Sequence, residues 1–256
     1  MVSLSSLAKG KIRVKILLFG KNSKSLSPIL NDFGFEETTT SPDLVISYGG
    51  DGTLLASERT YPEIPKLPIR DSNVCKKCSN HTEETLLNLL KENQLKLEKI
   101  HKLAAESQGR KLLALNDIVV RNTTPIHALR FNLKINEKNV SPVVIVGDGL
   151  VISTAFGSTG YYKSITKKSF EKGYSIAFSN TTKDLHPVNF KRGDLIEIKI
   201  IRGPAAVSAD NNPKFITLEE NDIVEIQVSN QKALIYRPEI LRCNNCIIKR
   251  EKRLDH

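Results

Sequence analysis

The sequence predicts an α/β domain with a parallel sheet, followed by an all-β domain. In the first part of the chain, a strand at residues 11–20, a short helix at 25–33 and a buried strand at 43–48 follow one another. This order is typical of a right-handed parallel unit. Later, apolar and polar residues alternate, as at residues 129–135, which is typical of antiparallel strands. We therefore expect an α/β domain at 1–104, a β-rich domain at 105–235 and a C-terminal segment at 236–256.

The predicted elements of the first domain follow from local patterns. Residues 11–20 alternate at first and then become fully apolar, as strands buried in a parallel sheet do. Ser27 is the predicted N-cap of the short helix that follows. Leucines at helical spacing predict a further helix over residues 80–93, with Asn80 and Glu83 as its capping pair.

A glycine-rich loop directly follows the buried strand at 43–48. Residues 49–53 read Gly-Gly-Asp-Gly-Thr. Glycines let backbone N–H groups approach a phosphate closely, and the helix predicted next presents the positive end of its dipole there. The predicted phosphate-binding residues are Gly49, Gly50, Gly52 and Thr53.

Asp51 is the carboxylate in the middle of this loop. An anion among phosphate-binding amides repels the ligand unless it takes part in the chemistry. Two roles fit, a base for a hydroxyl group or a ligand of Mg²⁺. The alternative is a tight strand-to-helix turn in which Asp51 caps the helix.

Residues 147–161 repeat the theme of glycines, polar groups and a strand. Asp148 stands between two glycines, a strand follows, and a Gly-Ser-Thr-Gly loop at 157–160 precedes Tyr161. The hydroxyl and N–H groups of this loop suit the polar parts of a nucleotide, and the ring of Tyr161 can stack on a base. The alternative is a Ser/Thr-rich hairpin loop.

Together these stretches resemble the NAD kinase family. The family's Gly-Gly-Asp-Gly-Thr signature is intact at residues 49–53, and its Thr-Pro-Thr-Gly-Ser-Thr-Ala-Tyr string appears as Thr-Ala-Phe-Gly-Ser-Thr-Gly-Tyr at 154–161. Its Asn-Glu pair resembles Asn116-Asp117, for which the alternative is a hydrogen-bonded pair at a strand edge. Its late Asp-Gly pair resembles the sequence beginning at Asp210. The resemblance extends over nearly the whole chain.

The resemblance implies an NAD kinase-like two-domain fold whose C-terminal segment returns to the first domain, in an archaeal-like variant with two added Cys-x-x-Cys pairs. It implies phosphorylation of the 2′-hydroxyl of the adenosine ribose of NAD, with ATP or polyphosphate as donor and Mg²⁺ on the donor phosphates. Asp51 would take the hydroxyl proton. Homodimers or homotetramers are implied as well. The implied NAD ligands are Asn116, Asp117, Asp148, Thr159, Gly160, Tyr161, Ser164 and Asp210.

The region after the first motif departs from the family's pattern. The family has a glycine-rich Asn-x-Gly-x-x-Gly-Phe-Leu string there, whereas residues 69–78 of this chain read Ile-Arg-Asp-Ser-Asn-Val-Cys-Lys-Lys-Cys. The family's string lies on the side that holds the phosphoryl donor and the diphosphate of NAD. We expect the Lys and Arg residues of this chain to substitute for it by charge.

The charge balance suits a protein that handles polyanions. The formal net charge is +10, from 38 basic and 28 acidic residues. The basic residues are scattered, Trp is absent and aromatic residues are only 6%, which argues against a base-stacking nucleic-acid platform. We find neither a signal peptide nor an apolar run of about 20 residues. We therefore expect no nucleic-acid or membrane partner and a cytoplasmic location.

Two other classes of protein share parts of the pattern. Lipid and sphingoid-base kinases carry the same Gly-Gly-Asp-Gly-Thr motif with a β-rich second domain, and the string at 157–161 favours NAD over a lipid. A nucleotide-binding regulator without catalysis is the other alternative. The intact Asp51 argues against it.

The four cysteines form two Cys-x-x-Cys pairs, which are Cys75/Cys78 and Cys243/Cys246. Two such pairs can hold one tetrahedral Zn²⁺. They meet only if the C-terminal segment packs on the first domain, as the resemblance implies. Disulfides and unpaired buried thiols are the alternatives.

We predict that elemental analysis of the purified protein finds about one zinc per chain, because four thiolates complete one tetrahedral shell. Metal-free protein with unreactive thiols under reducing conditions would rule out this interpretation.

Overall fold

The computed structural model describes residues 14–72, 81–124, 126–237 and 248. They divide into two compact units, which are described separately. The first unit takes the chain up to Lys99 and again from Ala233, and the second runs from Ile100 to Lys232. The predicted fold class, an α/β domain and an all-β domain, is confirmed. No helix of the described ranges is both long and apolar enough to cross a membrane.

The first unit is built on a parallel sheet. Its strands are β1 (Lys15–Phe19), β2 (Glu36–Glu37), β3 (Leu44–Tyr48), β4 (Lys66–Ile69) and the end of the last strand of the chain, β17 (Ile223–Tyr236). The order is β17-β4-β3-β1-β2, and each neighbouring pair is parallel. The parallel pairing of β1 and β3 confirms the prediction from the strand–helix–strand order.

The described part of the first unit contains the α-helices α1 (Ser27–Asp32), α2 (Asp51–Thr60) and α3 (Glu83–Lys91). Buried leucines of α3 pack with Ile16 and Ile46 of the sheet in one apolar core. The predicted N-cap Ser27 is instead the first residue of α1, whose N-cap is Leu26. The helix predicted over residues 80–93 starts later and ends earlier than expected, at Glu83 and Lys91. The N-cap of α3 is Thr82, whose hydroxyl accepts the N–H of Thr85 at 3.1 Å. Asn80 lies outside the described residues.

The second unit is a β-sandwich. Its other strands, in chain order, are β5 (Leu97–Ser107), β6 (Arg110–Ala114), β7 (Asp117–Asn122), β8 (Leu129–Ile135), β9 (Lys138–Asn139), β10 (Ile145–Gly147), β11 (Gly149–Thr154), β12 (Tyr174–Ser179), β13 (Val188–Phe190), β14 (Ile196–Arg202), β15 (Ala205–Ala209) and β16 (Ile216–Leu218). One sheet has the order β13-β12-β11-β7-β15-β16 and is antiparallel throughout. The other contains β10-β8-β14-β17, and β5 pairs with both β17 and β6.

The apolar core of the second unit contains residues of both sheets. Phe131 and Ile198 contribute from one sheet, and Val120, Leu150 and Ile176 from the other. The alternation predicted for residues 129–135 is observed, since Leu129, Phe131 and Leu133 are buried. The short helix α4 (Tyr161–Thr166) follows β11. The strand ends of this sandwich position the candidate site residues of the second unit.

Candidate functional site

In the first unit, the glycine-rich loop stands at the carboxyl end of β3. The N–H of Gly49 donates to the carbonyl of Ile69 at 2.8 Å, which continues the pairing with β4. A Cβ on Gly49 would lie 2.3 Å from the hydroxyl oxygen of Thr53, and a Cβ on Gly20 would lie 2.1 Å from the carbonyl oxygen of Tyr48. Real Cβ atoms do not approach so closely, so both positions require glycine.

Helix α2 begins inside this loop. Gly50 is its N-cap and Asp51 is its first residue. The N–H groups of Thr53 and Leu54 both donate to the carbonyl of Gly50, at 3.1 and 3.2 Å. The first N–H groups of a helix point outward from its N-terminus, where the helix dipole favours anions. This geometry is compatible with the predicted phosphate-binding role of the loop.

Asp51 does not cap α2, because the N-cap is the preceding residue, Gly50. No side chain makes a capping hydrogen bond at this helix start. The side chain of Asp51 is 58% exposed, and its Oδ1 lies 3.4 Å from Nη2 of Arg70. A carboxylate so placed can reach a ligand at the start of α2. The cap alternative raised by the sequence is therefore wrong.

Arg70 is the one arginine of residues 69–78, the stretch where the sequence predicts that basic residues substitute for the family's glycine-rich string. It follows β4 directly, and its side chain is only 10% exposed. The neighbouring Asp71 accepts a hydrogen bond from the amide of Asn22 at 2.7 Å. The signal in the sequence was the basic residue in the stretch where the related family has a glycine-rich string.

In the second unit, Asp210 organises the start of β7. Its carboxylate accepts three consecutive backbone N–H groups at 2.8, 2.8 and 3.1 Å. The donors are Leu115, Asn116 and Asp117, and the N–H of Asp210 donates back to the carbonyl of Asp117 at 2.9 Å. Asp210 as an NAD ligand stays a prediction, since both of its oxygens already bind the chain. Its evident role is to fix residues 115–117.

Thr154, at the end of β11, donates hydrogen bonds to carbonyl groups of the same segment, residues 115–117. Its hydroxyl donates to the carbonyl of Leu115 at 2.8 Å and accepts the N–H of Gly157 at 3.0 Å. Its N–H donates to the carbonyl of Asn116 at 2.9 Å. A Cβ on Gly157 would lie 2.1 Å from that carbonyl oxygen. The Asn116-Asp117 pair and the stretch that begins at Thr154, which are separated in the sequence, therefore pack against each other.

The side-chain carbonyl oxygen of Asn116 stands out among the polar atoms of the described residues. Its Oδ1 is buried and accepts no hydrogen bond among the described residues. Buried polar atoms are nearly always hydrogen-bonded. A ligand that donates an N–H or O–H group would satisfy this oxygen.

Asp117 is almost completely buried, with 8% of its surface exposed. Burial, and to a smaller extent the nearby charge of Asp210, raises the pKa of Asp117 to about 7. Burial also raises the pKa of Asp210, to about 6, although three backbone N–H groups and Lys102 favour its charged form. Asp210 therefore ionises first, and near neutral pH a substantial fraction of Asp117 carries a proton that it can donate.

Asp148 and Tyr161 line one cavity of about 330 Å³ on the second unit, with Val119 and Val151 among its other walls. Asp148 accepts a hydrogen bond from the amide of Asn180 at 2.7 Å. Tyr161 is 41% exposed and begins α4. This combination of a carboxylate, an exposed ring and apolar walls suits a nucleoside.

The remaining predicted residues lie around the start of α4. Thr159 and Gly160 are exposed in the loop before it, and Gly160 is its N-cap. The hydroxyl of Ser164 donates to the carbonyl of Tyr161 at 2.7 Å. The predicted zinc ligands lie outside the described residues; they are Cys75, Cys78, Cys243 and Cys246.

The fold is that of the two-domain NAD kinases. It is similar to a solved NAD kinase from Archaeoglobus fulgidus in complex with ATP, with a TM-score of 0.74, 20% identity and coverage of 92% of this chain and 99% of that one. It is also similar to yeast NADH kinase complexed with NADH, with a TM-score of 0.72, 12% identity and coverage of 88% and 84%.

Proteins of related sequence are also named NAD kinase. An NAD kinase of Sulfurisphaera tokodaii is 28% identical over 177 residues, which are 65% of this chain and 70% of the relative. One of Clostridium botulinum is 27% identical over 221 residues, 80% of this chain and 77% of the relative. No family model matches the chain. The names of the relatives and the fold neighbours together support the NAD kinase family for this chain.

We predict that Thr154→Val lowers the free energy of unfolding by about 1–3 kcal/mol, because it leaves a buried carbonyl and a buried N–H group without their hydroxyl partner. Chemical denaturation measures the change. Thr123→Val is the matched control, since Thr123 is exposed and its hydroxyl donates to Pro204 at 3.1 Å. Equal stability losses in the two variants would contradict the role of Thr154.

We also predict a pH dependence of stability from Asp117. Its raised pKa means that the folded protein keeps a proton that the unfolded chain loses near pH 3.9. The resulting stabilisation is complete below that value and is lost as the pH rises through about 7. The free energy of unfolding should fall between pH 5 and pH 7 by up to about 1.4 kcal/mol per pH unit from this group.

Denaturation at several pH values, with wild type and Asp117→Asn compared, tests this dependence. The variant should show a shallower fall, because its side chain does not titrate. Asp184→Asn, a change at an exposed aspartate of the same unit, is the control. Parallel curves for wild type and Asp117→Asn would show that the proton on Asp117 does not stabilise the fold.

Proposed function

We propose that this chain is an NAD kinase that transfers a phosphoryl group from ATP to the 2′-hydroxyl of the adenosine ribose of NAD. The observation that carries the proposal is the position of Asp51. It is an exposed carboxylate at the first residue of α2, next to a glycine turn at the carboxyl end of a parallel strand. Ligands of such sheets bind at the carboxyl ends of the strands.

The loop at residues 49–53 binds the donor phosphates, and Asp51 acts as the base. The proton of the 2′-hydroxyl passes to the carboxylate while the hydroxyl oxygen attacks the γ-phosphorus. The bond from that phosphorus to the β-bridging oxygen breaks, and ADP leaves. Phosphoryl transfer depends mainly on positioning and charge stabilisation, so one carboxylate and a set of amides form a sufficient protein site.

Mg²⁺ belongs to this proposal as the companion of ATP. It is usually held by donor phosphates with one or two protein carboxylates. Donor phosphates at the turn of residues 49–53 would hold the ion, and the exposed carboxylate of Asp51 beside them would remain the base. When bound, the ion neutralises charge that develops on the donor.

The second unit binds NAD in this proposal. The buried Oδ1 of Asn116 accepts an N–H or O–H group of the dinucleotide, and the protonated fraction of Asp117 can donate to it. The cavity beside Asp148 and Tyr161 receives one of the two nucleoside ends, with the ring of Tyr161 against the base. The loop and helix residues Thr159, Gly160 and Ser164 surround it. Asp210 acts behind this surface.

Several finer features of the proposal rest on the sequence and on the resemblance. They are the use of polyphosphate as an alternative donor, an archaeal-like variant of the family, a cytoplasmic location, a zinc on the four cysteines and a homodimer or homotetramer. The relatives and fold neighbours, which are named NAD or NADH kinases, favour NAD over a lipid acceptor.

We predict that the purified protein with ATP, Mg²⁺ and NAD forms NADP, which an NADP-specific dehydrogenase detects. Asp51→Asn should lower the rate by about 10²–10⁴-fold, because it removes the general base. Its thermal unfolding should remain close to that of the wild type, since the side chain is exposed.

The control is Asp32→Asn, which changes an exposed aspartate of α1 outside the glycine-rich loop. A wild-type rate in Asp51→Asn would exclude Asp51 as the base. Phosphorylation of a lipid by the wild type, with no NADP from any donor, would overturn the assignment as a whole.

A further inference from the structure

We propose that Arg70 binds the transferred phosphoryl group of the donor and leaves Asp51 when it does so. This inference rests on the proposed NAD kinase function. It concerns a residue in the stretch where the chain departs from the related family's pattern.

The register of the sheet places Arg70 beside the glycine turn. Tyr48 of β3 is paired with Ile69 of β4, and the N–H of Gly49 continues this pairing with the carbonyl of Ile69 at 2.8 Å. Arg70 is the next residue. A Cβ on Gly50 would lie 3.9 Å from its Nη1, so the guanidinium lies against the turn at which α2 begins.

The contact of Arg70 with Asp51 is one that an anionic ligand can replace. The two groups are 3.4 Å apart, longer than a well-formed charge-assisted hydrogen bond, and the Asp51 side chain is 58% exposed. Ion pairs with an exposed partner are weak because water and salt screen them. A terminal phosphoryl group carries more negative charge than one carboxylate and matches the planar guanidinium with two oxygens.

The exchange couples donor binding to the state of the base. While Arg70 contacts Asp51, one carboxylate oxygen is engaged with the guanidinium instead of the ribose hydroxyl. When the guanidinium moves to the phosphoryl group, Asp51 is released towards the ribose hydroxyl. Arg70 then stabilises the charge on the equatorial oxygens during transfer, which is the main requirement of this chemistry.

Steady-state kinetics of the full-length protein provide the first test. Arg70→Gln should raise the KM for ATP by about tenfold to a hundredfold and lower kcat, because it removes a charge-assisted bond to the donor. The KM for NAD should stay within about twofold of the wild type, since the NAD ligands proposed above belong to the second unit. Arg70→Lys, which keeps the charge and loses the planar fork, should recover part of the loss.

Arg59→Gln is the matched control for this series. It removes the same charge from the last turn of α2, at an exposed position. It should leave both KM values unchanged. If Arg70 only fixed the position of Asp51, Arg70→Gln would lower kcat with an unchanged KM for ATP, and this result would overturn the proposal.

Binding of inorganic tripolyphosphate, measured by calorimetry, tests the exchange without catalysis. Asp51→Asn should bind it more tightly than the wild type, because the carboxylate of Asp51 no longer competes with the phosphate for Arg70. In the Arg70→Gln background, the same Asp51→Asn change should give a much smaller gain. An equal gain in both backgrounds would mean that Asp51 acts only by repelling the phosphate, and Arg70 would not be its competitor.

The two proposals fail in different ways. Absence of NADP formation by the wild type would refute the kinase function whatever the binding data show. NADP formation together with an Arg70-independent effect of Asp51→Asn on tripolyphosphate binding would refute the role of Arg70 alone. Thermal unfolding of each variant confirms that a loss reflects the site, and Arg70→Lys together with Asp51→Asn keeps the test decisive if Arg70→Gln does not fold.

Discussion

The three hydrogen bonds from residues 115–117 to one carboxylate are the constraint on which the candidate site of the second unit depends. Strand β15 pairs with β7 only as far as Ala209 and Ile118, so the N–H groups before that point have no strand partner on this side. Asp210 comes next and adopts a φ of 50°, which aspartate tolerates better than most residues. Its carboxylate accepts the backbone N–H groups that the carbonyl groups of a longer β15 would otherwise accept. The cost is a buried acid, which is visible in its raised pKa.

In the first unit, glycines rather than a buried carboxylate make the close packing at a strand end possible. At Gly49 and Gly20 the neighbouring atoms occupy the space that a Cβ would need. This close approach places the start of α2 directly at the end of β3, so that the N-terminus of the helix and Asp51 come to the carboxyl edge of the sheet. The second unit thus fixes a strand end with a buried carboxylate, and the first unit does so with glycines, which have no side chain. Both solutions hold backbone groups at a strand end.

The sequence was sufficient for features that local patterns encode. Alternation and apolar runs predicted the two kinds of sheet, and the glycine spacing predicted the loop that carries Asp51. The predicted start of α3 was too early because Thr82, a good N-cap, competes with Asn80 in the same polar stretch. The roles of Asp210 and Thr154 could not be predicted, because their partners lie 93 to 95 and 39 residues away and no local spacing marks such bonds. For Arg70, the only signal in the sequence was that residues 69–78 depart from the family's glycine-rich string.

If Arg70 binds the donor as proposed, that departure changes the physical means by which phosphate is held. Glycine-rich strings bind phosphate through backbone amides, which are fixed in place and carry no net charge. A guanidinium carries a full charge on a side chain that can move, so it gives stronger attraction and a second position, here beside Asp51. A charge-based contact is also screened by salt when part of it is exposed. With the proposed role of Arg70, phosphate binding and the state of the base would depend on the same cation, whereas a site made of amides would leave them independent.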